Sequence, residues 1–298
     1  VQFMGFLKKL FGGSDQPTDN KKKENDNKQF DTLKYDGVRA LRQGQSAFAV
    51  QCFTHALQLK NDLECRDYLS QAYIHTDQLP LAAEQLQILT EAQPDNISIF
   101  IRLAEVYFMA ENYDDMATTC IRAMELDKEN IGVLFAYARA CNGQGNTIQA
   151  IALLTKAITL KDDFAEARLM RADLLLKMGD ANGAEEDAKM LQEQCPDNED
   201  ILLLVARIYE AKAMHNEAIE AYGRVLDVNP FCLAAFKERG AIRMATGDSK
   251  GASEDMKQVL ELDSNTASNI SGEYSAEGIE SKVKAKYRSM DPYGIFSE

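Results

Sequence analysis

Apolar positions along the chain fall at helical spacing, and small residues recur among them at a fixed interval. Alanines stand at 49, 82, 150, 184, 218 and 252, with Met116 in the one gap, in steps of 33 and then 34 residues. A period of this length is the mark of a stacked array of helix-turn-helix units. In this frame seven units run from Phe30 to Ser264, starting at 30, 63, 97, 131, 165, 199 and 233. Each opens with a helical pattern, is punctuated near its middle, and continues with a second helical pattern. The punctuating residues are Gly44, Asp77, Glu111, Gly145, Gly179, Ala213 and Gly247. Glycine just past a helix end accepts the left-handed backbone of a C-terminal cap, so four of these seven turns carry the expected residue. Pro94, Pro196 and Pro230 share one place near a unit's end. The second helix must stop there, because proline lacks a donor and clashes with the preceding turn.

This pattern resembles the tetratricopeptide repeat family. The match is fullest at Tyr209, Ala218, Tyr222 and Pro230 in the sixth unit and at Phe236, Gly240, Gly247 and Ala252 in the seventh. It covers about four-fifths of the chain. The chain has no Trp, and the family's bulky fourth place holds Leu33, Arg66, Phe100, Leu134, Arg168, Leu202 and Phe236. The small eighth place is Gly only at Gly37 and Gly240, and Met116 stands where Ala is the rule. The fold implied is all-α, a right-handed superhelical solenoid of about seven helix-turn-helix repeats closed by a C-terminal capping helix. Alanines such as Ala150 and Ala184 let the paired helices approach, and Tyr107, Leu154, Leu175 and Tyr222 fill the remaining space. Two units also repeat a charged pair, Arg171 with Asp187 and Arg239 with Asp255. The spacing reads as a partly exposed ion pair closing each hairpin, worth about 0–1 kcal/mol.

Three segments follow from this frame. Residues 1–29 read as an amphipathic leader and a flexible polar linker, 30–264 as the repeats, and 265–298 as a loop, a capping helix and an apolar tail. In the leader, Phe3, Phe6, Leu7, Leu10 and Phe11 lie at helical spacing opposite Lys8 and Lys9. Residues 1–12 are therefore a candidate for weak contact with an anionic membrane, with a disordered or protein-docked leader as the other reading. The working start is either Val1 or Met4. In the tail, Ile279, Val283 and Tyr287 make one stripe of a helix over 276–290, suited to covering the seventh unit. Pro292 to Phe296 gives a competing reading as a partner-binding end.

Charge narrows the choice of partner. Residues 1–29 carry +2 (six Lys against four acids) and 265–298 carry −1 (four basic residues against five acids), so of the total −14 the repeats hold −15. Such an acidic chain is not expected to bind nucleic acid, which needs clustered Lys and Arg. No run reaches the roughly 20 apolar residues that span a bilayer. Six scattered cysteines without a CxxC pair fit a reducing cytoplasm rather than a disulfide framework. His55, His75 and His215 lie in separate stretches, so no zinc site and no cofactor is expected. No nucleophile elbow, phosphate loop or dinucleotide fingerprint occurs, and the chain does not read as an enzyme.

In the resembling family the first helices line a groove that takes segments of other proteins. Carried over place by place, that groove holds Lys34, Tyr35, Val38, Tyr68, Gln71, His75, Arg102, Glu105, Phe108, Phe135, Arg139, Asn142, Met170, Asp173, Arg207 and Glu210. A branch of the family clamps a terminal carboxylate with Lys and Asn. Here Lys34 fits one such place, but Val38 replaces an Asn, and Glu64 and Asp67 bring negative charge. Arg102, Arg139 and Arg207 either form a basic binding stripe, or are solvated or paired with Glu105, Asp173 and Glu210. The function implied is a cytoplasmic scaffold or adaptor binding a polypeptide or protein partner. The alternatives are a structural or membrane-proximal assembly factor working through its N-terminal amphipathic segment and C-terminal tail, or a regulatory subunit of an enzyme. Oligomeric state is left open.

Overall fold

A computed structural model describes residues 19–263. The leader, the helix expected over 276–290 and the apolar tail lie outside them. Fourteen α-helices make up the described residues, which divide into two compact units between Gln144 and Gly145. The first unit holds α1 (Asp19–Arg42), α2 (Ser46–Leu59), α3 (Leu63–His75), α4 (Leu79–Ala92), α5 (Ile97–Met109), α6 (Tyr113–Leu126) and α7 (Ile131–Gly143). The second holds α8 (Thr147–Leu160), α9 (Ala165–Lys177), α10 (Ala181–Gln194), α11 (Glu199–Ala211), α12 (His215–Val228), α13 (Leu233–Ala245) and α14 (Ser249–Leu262). From α3 onward, every first helix begins at the unit start read from the sequence.

The turns explain this regularity. Gly44, Asp77, Glu111, Gly145, Gly179, Ala213 and Gly247 all have positive φ, between 53° and 90°. A left-handed residue after a helix lets two amides reach back to orphan carbonyls, the Schellman arrangement. At Gly179 the bonds run from Gly179 N to Leu176 O and from Asp180 N to Leu175 O, both 2.9 Å. Ala213 makes the same pair, to Glu210 O at 2.8 Å and from Met214 N to Tyr209 O at 2.9 Å. The turn geometry therefore persists where glycine is absent, with a side chain held at a backbone angle that L-residues resist. Ala213→Gly is expected to stabilise the chain by about 0.5–1 kcal/mol, the relief of the left-handed Cβ less the cost of a more mobile unfolded chain. Thermal melts of the two proteins check it, and an unchanged or lower Tm would contradict it. Several helix starts add a side-chain cap: Asp180 accepts from Gly183 N and Asp248 from Gly251 N, each at 2.9 Å. Asp62 caps α3 by accepting from Cys65 N at 2.8 Å.

Packing is built hairpin by hairpin. Ala49, Ala82, Met116, Ala150, Ala184, Ala218 and Ala252 are all fully buried. In the first unit, Phe30, Ala49, Phe53, Leu69 and Ala72 form one cluster, and Leu86, Phe100, Leu103, Met116 and Val133 a larger one. In the second, Ala184, Leu191, Ile201 and Ile208 are followed by Leu202, Ala218, Tyr222 and Ile242, then by Phe236, Ala252 and Val259. Each cluster joins a hairpin to its neighbour, as a linear array requires. Ala184→Leu should cost about 1–3 kcal/mol by overpacking, whereas Lys177→Leu, on an exposed site, should leave the melting temperature nearly unchanged. Equal effects in the melts would mean that the frame is misassigned.

Two details depart from the sequence reading. Residues 19–29, expected to be part of a flexible linker, continue α1 as helix. No Gly or Pro interrupts them, a helix nucleated at its packed end propagates cheaply into good formers such as Lys, Glu and Gln, and Lys28 pairs with Glu24 at 2.8 Å one turn earlier. The ion pairs within the fifth and seventh repeats are also less exposed than expected. Asp187 is 2% exposed and Asp255 1%. Each carries a second arginine as well, Arg168 at 3.1 Å on Asp187 and Arg243 at 2.9 Å on Asp255. One turn back from Arg171 and one turn on from Arg239, these arginines reach the same shelf from opposite sides.

Candidate functional site

The first helices of the first unit are tied together by charge. Lys34 on α1 donates to the Asp62 cap at 2.9 Å and to Glu64 on α3 at 2.7 Å. Asp67 on α3 pairs with Arg102 on α5, which also donates to Ser70 Oγ at 3.0 Å. Glu105 on α5 pairs with Arg139 on α7. The Arg139 guanidinium lies 3.6 Å from the centre of the Phe108 ring and 5.7 Å from that of Phe135. The helix face so formed is a ladder, each rung joining one repeat to the next. Burial opposes the charge on Lys34, but its bonds to Glu64 and Asp62 outweigh that and hold its pKa above the usual value. Burial likewise works against ionised Asp62, yet bonds from Lys34 and the Cys65 amide lower its pKa overall.

This corrects the idea of a basic stripe. Arg102 and Arg139 are structural cations spent on Asp67 and Glu105. Arg207, in the second unit, makes two bonds to Glu238 at 2.8 and 2.7 Å. None of the three has its charge free for a ligand, because each carboxylate partner sits about one repeat away on an adjoining first helix. Lys34, a candidate for gripping a terminal carboxylate, is likewise committed to two acids. Phe108 and Phe135 serve as the bed of Arg139.

The remaining candidate residues divide by exposure. Tyr35 is 69% exposed. His75 and Asn142 are exposed, and Val38, Gln71 and Tyr68 half-buried. Gln71 donates to Asp67 at 2.9 Å. Tyr68 stacks on Phe53 with ring centres 5.7 Å apart and an interplanar angle of 14°. Met109, outside the candidate set, is also exposed at the end of α5. Its place beside Phe108 at a helix terminus is a signal that the sequence does carry. In the second unit Met170 is half-buried, and Asp173 pairs with Lys177 at 2.6 Å. Glu210 is buried, accepting from the Tyr222 hydroxyl at 2.7 Å, with Glu238 3.0 Å from the same oxygen. Burial, with both carboxylates close by, pushes the Tyr222 hydroxyl well above its ordinary pKa.

Two of the buried thiols are poor nucleophiles. Burial pushes the Cys65 and Cys120 thiols up to about 12, far from a nucleophilic thiolate. Among the described residues no group of three His, Cys, Asp or Glu side chains is placed to hold a metal ion. No helix among them is long and apolar enough to cross a membrane.

Comparison with known proteins agrees with the geometry. Family models described as tetratricopeptide repeat match residues 142–208 and 199–232. DnaJ homolog subfamily C member 3 of Homo sapiens is 31% identical over 104 residues, 34% of this chain and 21% of that protein. The matched stretch thus spans about a fifth of the curated relative. A tetratricopeptide repeat protein of Parabacteroides merdae superposes with a TM-score of 0.67 at 14% identity, over 87% of this chain and 99% of its own. YrrB, described as a TPR protein with an unusual peptide-binding site, does so with a TM-score of 0.51 at 15% identity, over 60% of this chain and 93% of its own. Repeat period, left-handed turns, buried alanines and these matches converge, and residues 142–232 of the chain carry tetratricopeptide repeats.

Proposed function

We propose that this protein is a non-enzymatic scaffold or adaptor that binds a polypeptide on the first-helix face of its N-terminal unit. Tetratricopeptide arrays as a class mediate protein–protein contacts. The observation that carries the reading is the contrast on that face between spent charges and free surface. The arginines and Lys34 are locked into the ladder, while Tyr35, His75, Met109 and Asn142 stand exposed around it. A rigid, pre-ordered wall with projecting aromatic and polar groups loses little entropy when a partner docks, and aromatic residues anchor such contacts well. The peptide-binding site named for YrrB supports the same use of the fold. Free thiols at all six cysteines support work in the reducing cytoplasm.

A photo-crosslinking residue placed at Tyr35 tests this. It is expected to capture a defined polypeptide from native lysate, whereas the same residue at Phe231, which is 74% exposed in the second unit, captures none. Tyr35→Ala with His75→Ala should then reduce recovery of that polypeptide by about tenfold, roughly 1.4 kcal/mol of contact, without moving Tm. Capture only from position 231, or from neither, would refute the proposal. The carboxylate-clamp activity of the resembling branch is not part of it, since Lys34 already serves two acids.

A further inference from the structure

We infer that the face made by α1 and α3 selects a basic segment, holding Lys or Arg side chains of the partner between a carboxylate and a tyrosine. This rests on the reading that the face takes a polypeptide, and adds which one. Asp31 and Tyr35 on α1, and Glu64 and Tyr68 on α3, occupy the same two places of consecutive repeats. Four residues apart on a helix, the acid and the ring of each pair lie one turn apart on one side. Tyr35 is 69% exposed and the Glu64 side chain 63% exposed, and Asp31 is exposed as well. The Tyr68 hydroxyl lies 3.4 Å from Glu64 Oε1, and its ring is fixed by stacking on Phe53.

Charge bookkeeping makes the face attractive to cations. Asp36 is paired with Arg39, and Asp67 with Arg102. Lys34 is the ion-pair partner of both Asp62 and Glu64, Lys60 acts on Asp62 from farther off, and among the described residues no cation lies within ion-pair distance of Asp31. Five acids against Lys34, Arg39, Lys60 and Arg102 leave one negative charge in excess beside two tyrosines. The molecule also shows, at other places of a repeat, that an acid and a ring one helical turn apart hold a cation. On α5, Glu105 and the Phe108 ring hold a guanidinium, that of Arg139 from the following repeat. Of the two pairs on α1 and α3, Asp31 with Tyr35 has no ion-pair partner among the described residues, while Glu64 shares Lys34 with Asp62. The site is bounded at the third repeat, where Ser98 and Arg102 take the two places and supply neither a carboxylate nor a ring.

Fluorescence anisotropy of the full chain with two short labelled peptides tests the inference. One alternates Lys and Arg with Ala, and the other carries Glu in place of each basic residue. The basic peptide is expected to bind, more weakly as salt rises, and the Glu peptide not to bind. Asp31→Asn with Glu64→Gln should weaken the basic peptide at least about tenfold, and Tyr35→Ala by roughly 2- to 30-fold, the range of a cation on an aromatic ring. Asp31→Asn alone lies outside the ladder and keeps the test valid should the Glu64 change disturb α3. Glu254→Gln with Glu261→Gln makes the same charge change on α14 and should leave affinity unchanged. Equal loss from that control would reduce the effect to general attraction by an acidic chain and overturn the inference. Binding of the Glu peptide, or of neither peptide, would overturn it too. A crosslinked partner that depends on Tyr35 and His75 but is indifferent to Asp31→Asn with Glu64→Gln would sink this selectivity alone and leave polypeptide binding standing.

Discussion

Asp187→Ala is expected to destabilise the second unit by about 3–5 kcal/mol, the cost of removing one side of a buried ion pair. Asp187 is 2% exposed and accepts three bonds, from Arg171 at 2.8 and 2.7 Å and from Arg168 at 3.1 Å. Its loss leaves two guanidinium groups partly desolvated on the inner side of the α9–α10 hairpin. Arg168 retains Asp162, whose side chain is 81% exposed and so compensates weakly. The damage should fall mainly on the Arg171 side. Adding Arg171→Met to Asp187→Ala should therefore recover part of the loss, because the stranded charge is replaced by apolar volume. Urea melts of the single and double variants give the coupling. An Asp187→Ala cost below about 1 kcal/mol, the value of an exposed pair, would show that the carboxylate is effectively solvated. Asp255, with Arg239 and Arg243, should behave alike.

That pair separates what is legible in the sequence from what is not. A 34-residue period fixes everything that every repeat must do alike. Helix starts, left-handed turns and buried alanines were therefore readable, and Arg171 with Asp187 stood out because the seventh repeat repeats it. The added bonds of Arg168 and Arg243 are not legible there, because their places differ between the two repeats, although each lies one helical turn from the readable arginine. The ladder of the candidate site was harder for the opposite reason. Its rungs join different repeats, Arg139 to Glu105 one period earlier but Arg102 to Asp67 and Arg207 to Glu238 at other separations. A side chain's partner across a helix interface depends on the crossing of the helices, which a one-dimensional period does not encode. Sequence alone therefore identified these arginines as groove residues and left open whether they faced a ligand or a neighbour. At residues 19–29 polar composition suggests a linker, while helix propensity and continuity with a packed helix prevail.

Phe53→Ala should cost about 3–5 kcal/mol, since a fully buried aromatic ring is replaced by a cavity. The ring is 0% exposed within the cluster of Phe30, Ala49, Leu69 and Ala72. It also explains Gly37: a Cβ added there would lie 2.6 Å from Phe53 Cε1. Gly37→Ala alone should thus cost about 1–3 kcal/mol by overpacking, and much less when Phe53 is Leu, a coupling that a double-mutant cycle resolves. Because each hairpin is stabilised by its neighbours, the loss should be local, with faster amide exchange in α1 to α4 and unchanged exchange in α11 to α14. Function should follow the packing. Tyr68 loses the ring on which it stacks, so the basic peptide should bind Phe53→Ala more weakly even at temperatures where the first unit remains folded. Uniformly faster exchange across both units would mean that the array unfolds as a single cooperative body, and unchanged peptide affinity would mean that Tyr68 holds its position without Phe53.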